Sequence, residues 1–212
     1  RFADHYIRVR PGTDIPLVWG MLWHIFENGW EDKAFIEQRT YGMDEVRKEV
    51  AKWTPDKVSD VTGVPESAVR LAAETLALNR PSSVVWCMGI TQHHVGTANV
   101  RALSILQLAL GNIGVPGGGA NIYRGHDNVQ GATDIGPNPD SLPGYYGLAE
   151  GAWKHFANVW GVDYNWILAR YGSKELMEKP GMTTSRWFDG VLERNDYVDQ
   201  PSNLRAMVYW GH

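Results

Sequence analysis

The order of apolar patterns predicts an α/β protein: a Rossmann-like parallel sheet flanked by helices, with a long glycine-rich loop and an irregular helical segment. Three observations carry that expectation. Two extended-looking stretches, 4–9 (DHYIRV) and 82–89 (SSVVWCMG), each run into a turn and then a helical pattern, and further helical patterns separate them. That is the alternation of a parallel sheet with crossover helices. A hydrophobic content of 43% and ten Trp in 212 residues supply enough apolar surface for a sizeable core. From Gly111 to Gly147 glycine and proline displace helix formers and no period survives, so the stretch reads as a loop long enough to be functional.

In order, residues 4–9 alternate as a strand, and Arg10-Pro11-Gly12-Thr13-Asp14 breaks it. The apolar stretch 15–26 then reads as a helix, with Thr13 or Asp14 able to cap it and Pro16 suited to its first turn. Asn28-Gly29 ends it. Shorter helices are expected at 31–39, 43–52 and 55–61, the last opening on the cap-like Thr54-Pro55. Residues 68–79 (AVRLAAETLALN) are helical by composition. After Pro81 the run SSVVWCMG is β-branched and aromatic enough for a buried strand. Thr97 can cap a helix carrying 100–110, which Gly111-Asn112 terminates. Amphipathic pieces at 153–161 and 186–195 follow the glycine-rich region, and 205–211 (RAMVYWG) reads as a closing strand. The expected organisation is a cofactor-binding α/β portion at 1–112, an active-site loop region at 113–150, and a helical segment at 151–212 that returns to a final strand of the α/β portion.

Charge and cysteine usage exclude several classes. Net charge is −4, from 20 Lys+Arg against 24 Asp+Glu, with no block of five like charges, so no nucleic-acid stripe or polybasic membrane anchor is present. No apolar run approaches the ~20 residues of a membrane span. Cys87 is the single cysteine, which leaves no disulfide framework and no cysteine-rich zinc or iron-sulfur site within the chain. His93 and His94 are adjacent and point apart, with no ligand spaced to complete a metal site. No metal-ligating residue is assigned. P-loop, Gly-x-Ser-x-Gly and Gly-x-Gly-x-x-Gly fingerprints do not occur. The chain opens at Arg1 inside a strand-like stretch and stops at His212 just after another, and it is read as an internal portion of a larger multidomain subunit.

Three turns remain as candidate chemistry. Open α/β sheets bind ligands outside the carboxyl ends of their strands, where helix starts offer N–H donors to phosphates. That rule points to 10–14 and 88–97. Asp14 is a plausible acceptor for the exocyclic amine and ring N–H of a guanine, or for a ribose hydroxyl; equally, Thr13 and Asp14 only cap a helix. The same two readings stand for Thr91, Gln92 and His93. Residues 121–136 (NIYRGHDNVQGATDIG) are too polar for a core and too poor in charge for a solvated face. A single arginine there, Arg124, suits two parallel N–H bonds to a small carboxylate. His126, Asp127, Asn128 and Gln130 add donors and acceptors, and Gly125 and Gly131 let backbone approach a ligand. A purely structural polar loop is the other reading of these residues.

The stretch from VVWCMGITQHH through GNIGVPGGGANIYRGHDNVQGATDIG, with RPGTD, DKAFIEQRT, VSDVTGVPESAVR and SLPGY, resembles the catalytic subunit of molybdenum- or tungsten-dependent formate dehydrogenases, of the dimethyl sulfoxide reductase family. The resemblance runs the length of the chain, most specifically over 88–136 and loosely over 150–200. It implies oxidation of formate to carbon dioxide, or the reverse, at a metal held by two molybdopterin guanine dinucleotides. By the motif RGxxNVQG it implies that Arg124 orients formate, that Gly125 lies in the same loop, and that His126 fills the variable position, as proton relay or electrostatic tuner. The turn G-x-TQ implies that Gly89, Thr91 and Gln92 face the pterin, and PGTD implies that Gly12, Thr13 and Asp14 contact a guanosine end. The family's metal-ligating cysteine or selenocysteine and its 4Fe-4S ligands are expected upstream of Arg1 and a further cofactor-binding domain after His212, so the isolated chain is expected to be inactive and to retain none of these groups. Partners implied are formate, the remaining domains and electron-transfer subunits, in the cytoplasm or in a membrane-associated periplasmic complex. A nitrate- or arsenic-oxyanion reductase of the same family, and a non-catalytic nucleotide-binding module, are the rival readings.

Overall fold

In the apolar stretch after the first turn, Val18, Met21, Leu22 and Ile25 follow the i, i+3, i+4, i+7 spacing of one helix face, and all four are buried. They belong to α1 (Asp14–Glu27) in the computed structural model, which describes residues 2–136, 138, 140–182, 186–192 and 203–208. The chain divides into two compact units, Arg1–Gly125 and His126–His212.

In the first unit α1 is the hub. It packs on α3 (Met43–Val50), α4 (Pro55–Thr62), α5 (Glu66–Leu78) and α7 (Gly96–Ala109). Gly20 sits where a Cβ would come within 2.6 Å of Val58 Cγ1, so a larger residue would push α4 away. α5 buries Val69, Ala73 and Ala77, and α7 buries Ala102, Leu106 and Ala109, and the alanines among them let these helices approach the hub. Leu22, Ile25, Leu106 and Leu110 are almost fully enclosed, each worth about 1.5–3 kcal/mol of transfer energy. The short α2 (Lys33–Arg39) is capped by Asp32, whose Oδ1 accepts from Phe35 N at 2.9 Å.

The sheet is a parallel pair. β1 (Ser83–Trp86) leads through Cys87 into the four-residue α6 (Met88–Thr91), and β2 (Gly119–Ile122) lies beside β1 in the register Ser83↔Gly119 to Trp86↔Ile122. The α/β class holds, with helices flanking a parallel sheet. Three local expectations do not. Residues 4–9 pair with no strand among the described residues, because Arg10 N bonds to Thr62 O and fastens this end of the chain to α4 instead. Residues 205–208 of the expected closing strand also carry no strand, and 209–211 lie outside the described residues. Conversely, Gly111–Gly147 is not all loop: it contains β2, α8 (Val129–Ile135) and a single 3-10 turn, Pro143–Tyr145. Capping differs too. Thr13 precedes α1 without a side-chain cap, its Oγ1 donating to Arg10 O at 2.7 Å, and α7 starts at Gly96 after Val95 rather than after Thr97.

The second unit has its own core of Leu142, Trp153, Phe156, Ala157, Ile167 and Met177. These come from α9 (Glu150–Trp160), α10 (Tyr164–Tyr171), α11 (Lys174–Glu178) and the loop before them; α12 (Trp187–Val191) follows. Asp163 caps α10 by accepting from Asn165 N at 2.8 Å and Trp166 N at 3.1 Å.

Candidate functional site

Two parallel strands leave the sheet at the same edge, so whatever follows each is brought together. After β1 come Cys87 and the Met88–Thr91 turn; after β2 come Tyr123, Arg124 and Gly125. Tyr123 N donates to Trp86 O at 3.0 Å, one step past the last ladder pair, which keeps the two exits side by side. Gly125, at φ +96°, sits where a Cβ would meet Cys87 Sγ and Met88 Cγ at 3.2 Å. The close approach of the two exits therefore depends on the absent side chain.

Arg124 is one of two non-glycine residues with positive φ among the described residues, at +61°, the other being Tyr145. For an arginine that conformation costs roughly 1–2 kcal/mol and is retained where surrounding structure imposes it. It is half-buried, between the exposed Tyr123 and Gly125.

The first exit turn is held from behind. Asn99, buried in α7, donates from Nδ2 to Ile90 O at 3.0 Å, and His93 Nε2 donates to Gly89 O at 2.9 Å. Gly96 lies so close that a Cβ there would be 2.1 Å from Thr91 O. With these carbonyls engaged on the α7 side, Gly89 keeps open space around its α-carbon and Gln92 is exposed, while Thr91 is half-buried. Asn99 and Gly96 escaped the sequence reading. The signal was present: Asn99 shares a stripe with Ala102, Leu106 and Ala109, and an amide on a buried face needs a partner.

Cys87 is half-buried just after β1, with its sulfur against Gly125. Sheet geometry does not bring Gly12, Thr13 and Asp14 to these exits, since among the described residues no strand precedes them. Their turn is tied to the end of α4, where the Arg10 guanidinium donates to Asp60 O and Val61 O and Thr13 N donates to Arg10 O. Gly12 faces open space at φ +83° and Asp14 opens α1.

His126 begins the second unit and is exposed, as are Asp127 and Asn128. There Gln130 Nε2 donates to Tyr145 Oη at 3.2 Å, and Gly131 packs where a Cβ would be 2.2 Å from Asn128 Oδ1. A cavity of about 550 Å³ in this unit, walled by Leu142, Trp153, Trp160 and Tyr171, is lined by none of Arg124, His126, Asp127, Asn128 and Gln130.

Among the described residues no three of His, Cys, Asp and Glu converge as metal ligands, and no helix is long and apolar enough to cross a membrane. The donors at the sheet edge are a guanidinium, an amide, a hydroxyl and open backbone. These groups hydrogen-bond to anionic or heterocyclic ligands and are not metal ligands by type.

Residues 1–198 match the family described as molybdopterin oxidoreductase. Formate dehydrogenase H of Escherichia coli is 42% identical over 164 residues, 77% of this chain and 23% of that protein. The F420-dependent formate dehydrogenase 2 subunit alpha of Methanococcus maripaludis is 35% identical over 160 residues, 76% of this chain and 24% of that protein. The chain thus spans about a quarter of the length of these relatives. A solved structure, acetylene hydratase from Pelobacter acetylenicus, superposes with a TM-score of 0.52 at 30% identity, covering 54% of this chain and 16% of that one.

Proposed function

Because the chain belongs to the molybdopterin oxidoreductase family, whose name implies a molybdopterin cofactor with molybdenum or tungsten, we propose that it forms the substrate-orienting part of a formate dehydrogenase catalytic subunit. The reaction is HCOO⁻ → CO₂ + H⁺ + 2e⁻, run in either direction. The observation that carries the reading is Arg124, held at positive φ on the exit of β2 against the exit of β1. The formate dehydrogenase relatives support the substrate.

Arg124 offers two parallel N–H donors to the formate carboxylate, fixing which way the C–H bond points. Its role is electrostatic, because a guanidinium donates and does not accept. Gly89, Thr91 and Gln92 hold the pterin through backbone and side-chain hydrogen bonds on the open side of their turn. Gly12, Thr13 and Asp14 take a guanosine end, so the cofactor is read as the guanine dinucleotide form. The bound cofactor supplies the two-electron acceptor. His126 either accepts the released proton or sets the local field, and the pH profile of a His126→Gln variant separates the two: a lost limb means proton transfer, a uniform drop means electrostatics. Electrons would leave through a 4Fe-4S cluster held by other parts of the subunit and through electron-transfer subunits, and the cytoplasm is the compartment that goes with this reading.

The test uses the full-length holoenzyme. Arg124→Ala should lose about 2–4 kcal/mol of transition-state stabilisation, roughly 30- to 1,000-fold in kcat/KM, with metal and pterin content retained. Arg124→Lys should fall between, keeping charge without the fork. Arg101→Ala, on the exposed side of α7, is the control. Wild-type kcat and kcat/KM in Arg124→Ala would return the loop to a structural role.

A further inference from the structure

Two side-chain amides are buried at the opposite end of the sheet from Arg124. Gln107, on α7, and Asn112, just past it, are 0% and 1% exposed. Gln107 Nε2 donates to Ser82 O at 3.2 Å and to Gly119 O at 2.8 Å, one bond to the entrance of each strand. Asn112 Nδ2 donates to Gln107 Oε1 at 2.7 Å and to Ser82 Oγ at 2.9 Å, while Asn112 Oδ1 accepts from Ser82 N at 3.2 Å. Every donor hydrogen of the pair is used, as a buried polar network requires.

The strands themselves specify their register poorly. β2 reads Gly-Ala-Asn-Ile, with no apolar alternation to bury, and each strand has four residues. Register is weakly determined where side chains do not demand one face, and a slip of two residues moves the chain by about 6.6 Å. Such a slip would replace Arg124 beside the Cys87–Met88 turn by Ile122 or His126.

We infer that the Gln107–Asn112 amide pair is a positioning device for Arg124: by pinning both strand entrances it sets the β1–β2 register, and the register decides which residue emerges beside the first exit turn. The inference rests on the formate reading of Arg124. The path is continuous, from Gly119 O through the four ladder pairs to the Tyr123–Trp86 bond and the contact of Gly125 with Cys87.

The experiment compares full-length holoenzyme carrying Gln107→Glu, which keeps the shape and leaves at most one donor hydrogen for the two strand entrances, and Ser82→Ala, which removes one acceptor of the pair together with the Ser82 Oγ bond to Leu76 O. Hydrogen exchange is followed at the amides of 120–123 and, as an internal reference, of 18–25 in α1. Formate KM and kcat are measured on the same preparations, with metal and pterin content. For Gln107→Glu we expect about tenfold faster exchange at 120–123 with α1 protection retained, and a formate KM raised about tenfold at unchanged cofactor content. Ser82→Ala should shift both in the same direction and less. Wild-type exchange at 120–123 overturns the register role. Faster exchange with unchanged KM in either variant overturns the positioning role. If Gln107→Glu also loses α1 protection, Ser82→Ala alone decides by the same two criteria. Wild-type kinetics in Arg124→Ala would instead overturn the substrate reading, leaving the exchange result to judge the clamp.

Discussion

Residues 10–14 and 87–95 carry similar local signals, an extended-looking stretch followed by a polar turn and an apolar helix, yet the fold uses them differently. The first is a helix start with no paired strand exit beside it among the described residues. Arg10 fastens it to the end of α4, Thr13 bonds back to Arg10, and Gly12 faces open space. The second is a helix start with a neighbour. β1 delivers it, β2 leaves the sheet beside it, and α7 closes over its back through Asn99 and Gly96. Two turns with similar local signals thus end in different surroundings, and the difference lies in strand pairing rather than in the turn itself.

The largest test of this contrast is alanine at the two glycines. Gly96→Ala puts a Cβ against the Thr91 carbonyl, a backbone atom that yields only if the turn opens. It should cost about 2 kcal/mol or more in a denaturant titration and lower pterin retention in the holoenzyme. Gly12→Ala meets no neighbour, so in the same titration only its positive φ is felt, about 1 kcal/mol. Equal losses at the two positions would break the contrast.

A smaller effect separates the helices that follow. His24, buried in α1, has its pKa lowered chiefly by desolvation, with Arg70 lowering it further and Glu66 opposing. Below the ordinary value of 6.5 the unfolded chain therefore binds more protons than the folded one, so stability falls as pH drops through that range. Denaturant midpoints measured from about pH 7 to about pH 5 should decline, and His24→Phe should flatten the slope. An unchanged slope in His24→Phe would assign the acid sensitivity elsewhere.

The smallest effect lies at a third helix start, in the second unit. Glu150 opens α9 and is held at a pKa of about 2 by hydrogen bonds from Lys154 and then Lys174. A depressed carboxylate contributes stability above its ordinary 4.5 and loses it as pH falls toward about 2. Because the cluster is exposed, solvent and salt screen it. Carboxyl NMR should show Glu150 titrating upward in Lys154→Ala and less so in Lys174→Ala. An ordinary carboxylate pKa in the unsubstituted protein would remove the cluster from the comparison.

Most helices were legible from periodicity and composition, because α1, α5 and α7 each bury one face whose spacing is written locally. β1 was legible for a similar reason, being β-branched, aromatic and bounded by Pro81. β2 was not. Gly-Ala-Asn-Ile has little intrinsic strand preference, and it is extended because β1 supplies its hydrogen-bond partners. The reverse error at 4–9 has the same origin: an alternating stretch without a partner is not a strand. Within the site, Arg124 stood out as a lone arginine among glycines and amides. Its positive φ, the thiol of Cys87 beside Gly125 and the support from Asn99 had no sequence period to announce them.

By itself, then, the sequence determined what short-range physics can decide: which faces are apolar, where helices begin and end within a few residues, and which residue types are available to bind an anion. Its motifs also determined the family. Tertiary structure alone decided that the exits of β1 and β2 meet, because pairing joins residues 83–86 to 119–122 across more than thirty intervening positions. It also decided that two buried amides pin that pairing at its other end. Hydrogen-bond partners so far apart in the chain leave no local pattern, since each strand need only tolerate the extended conformation that the other completes.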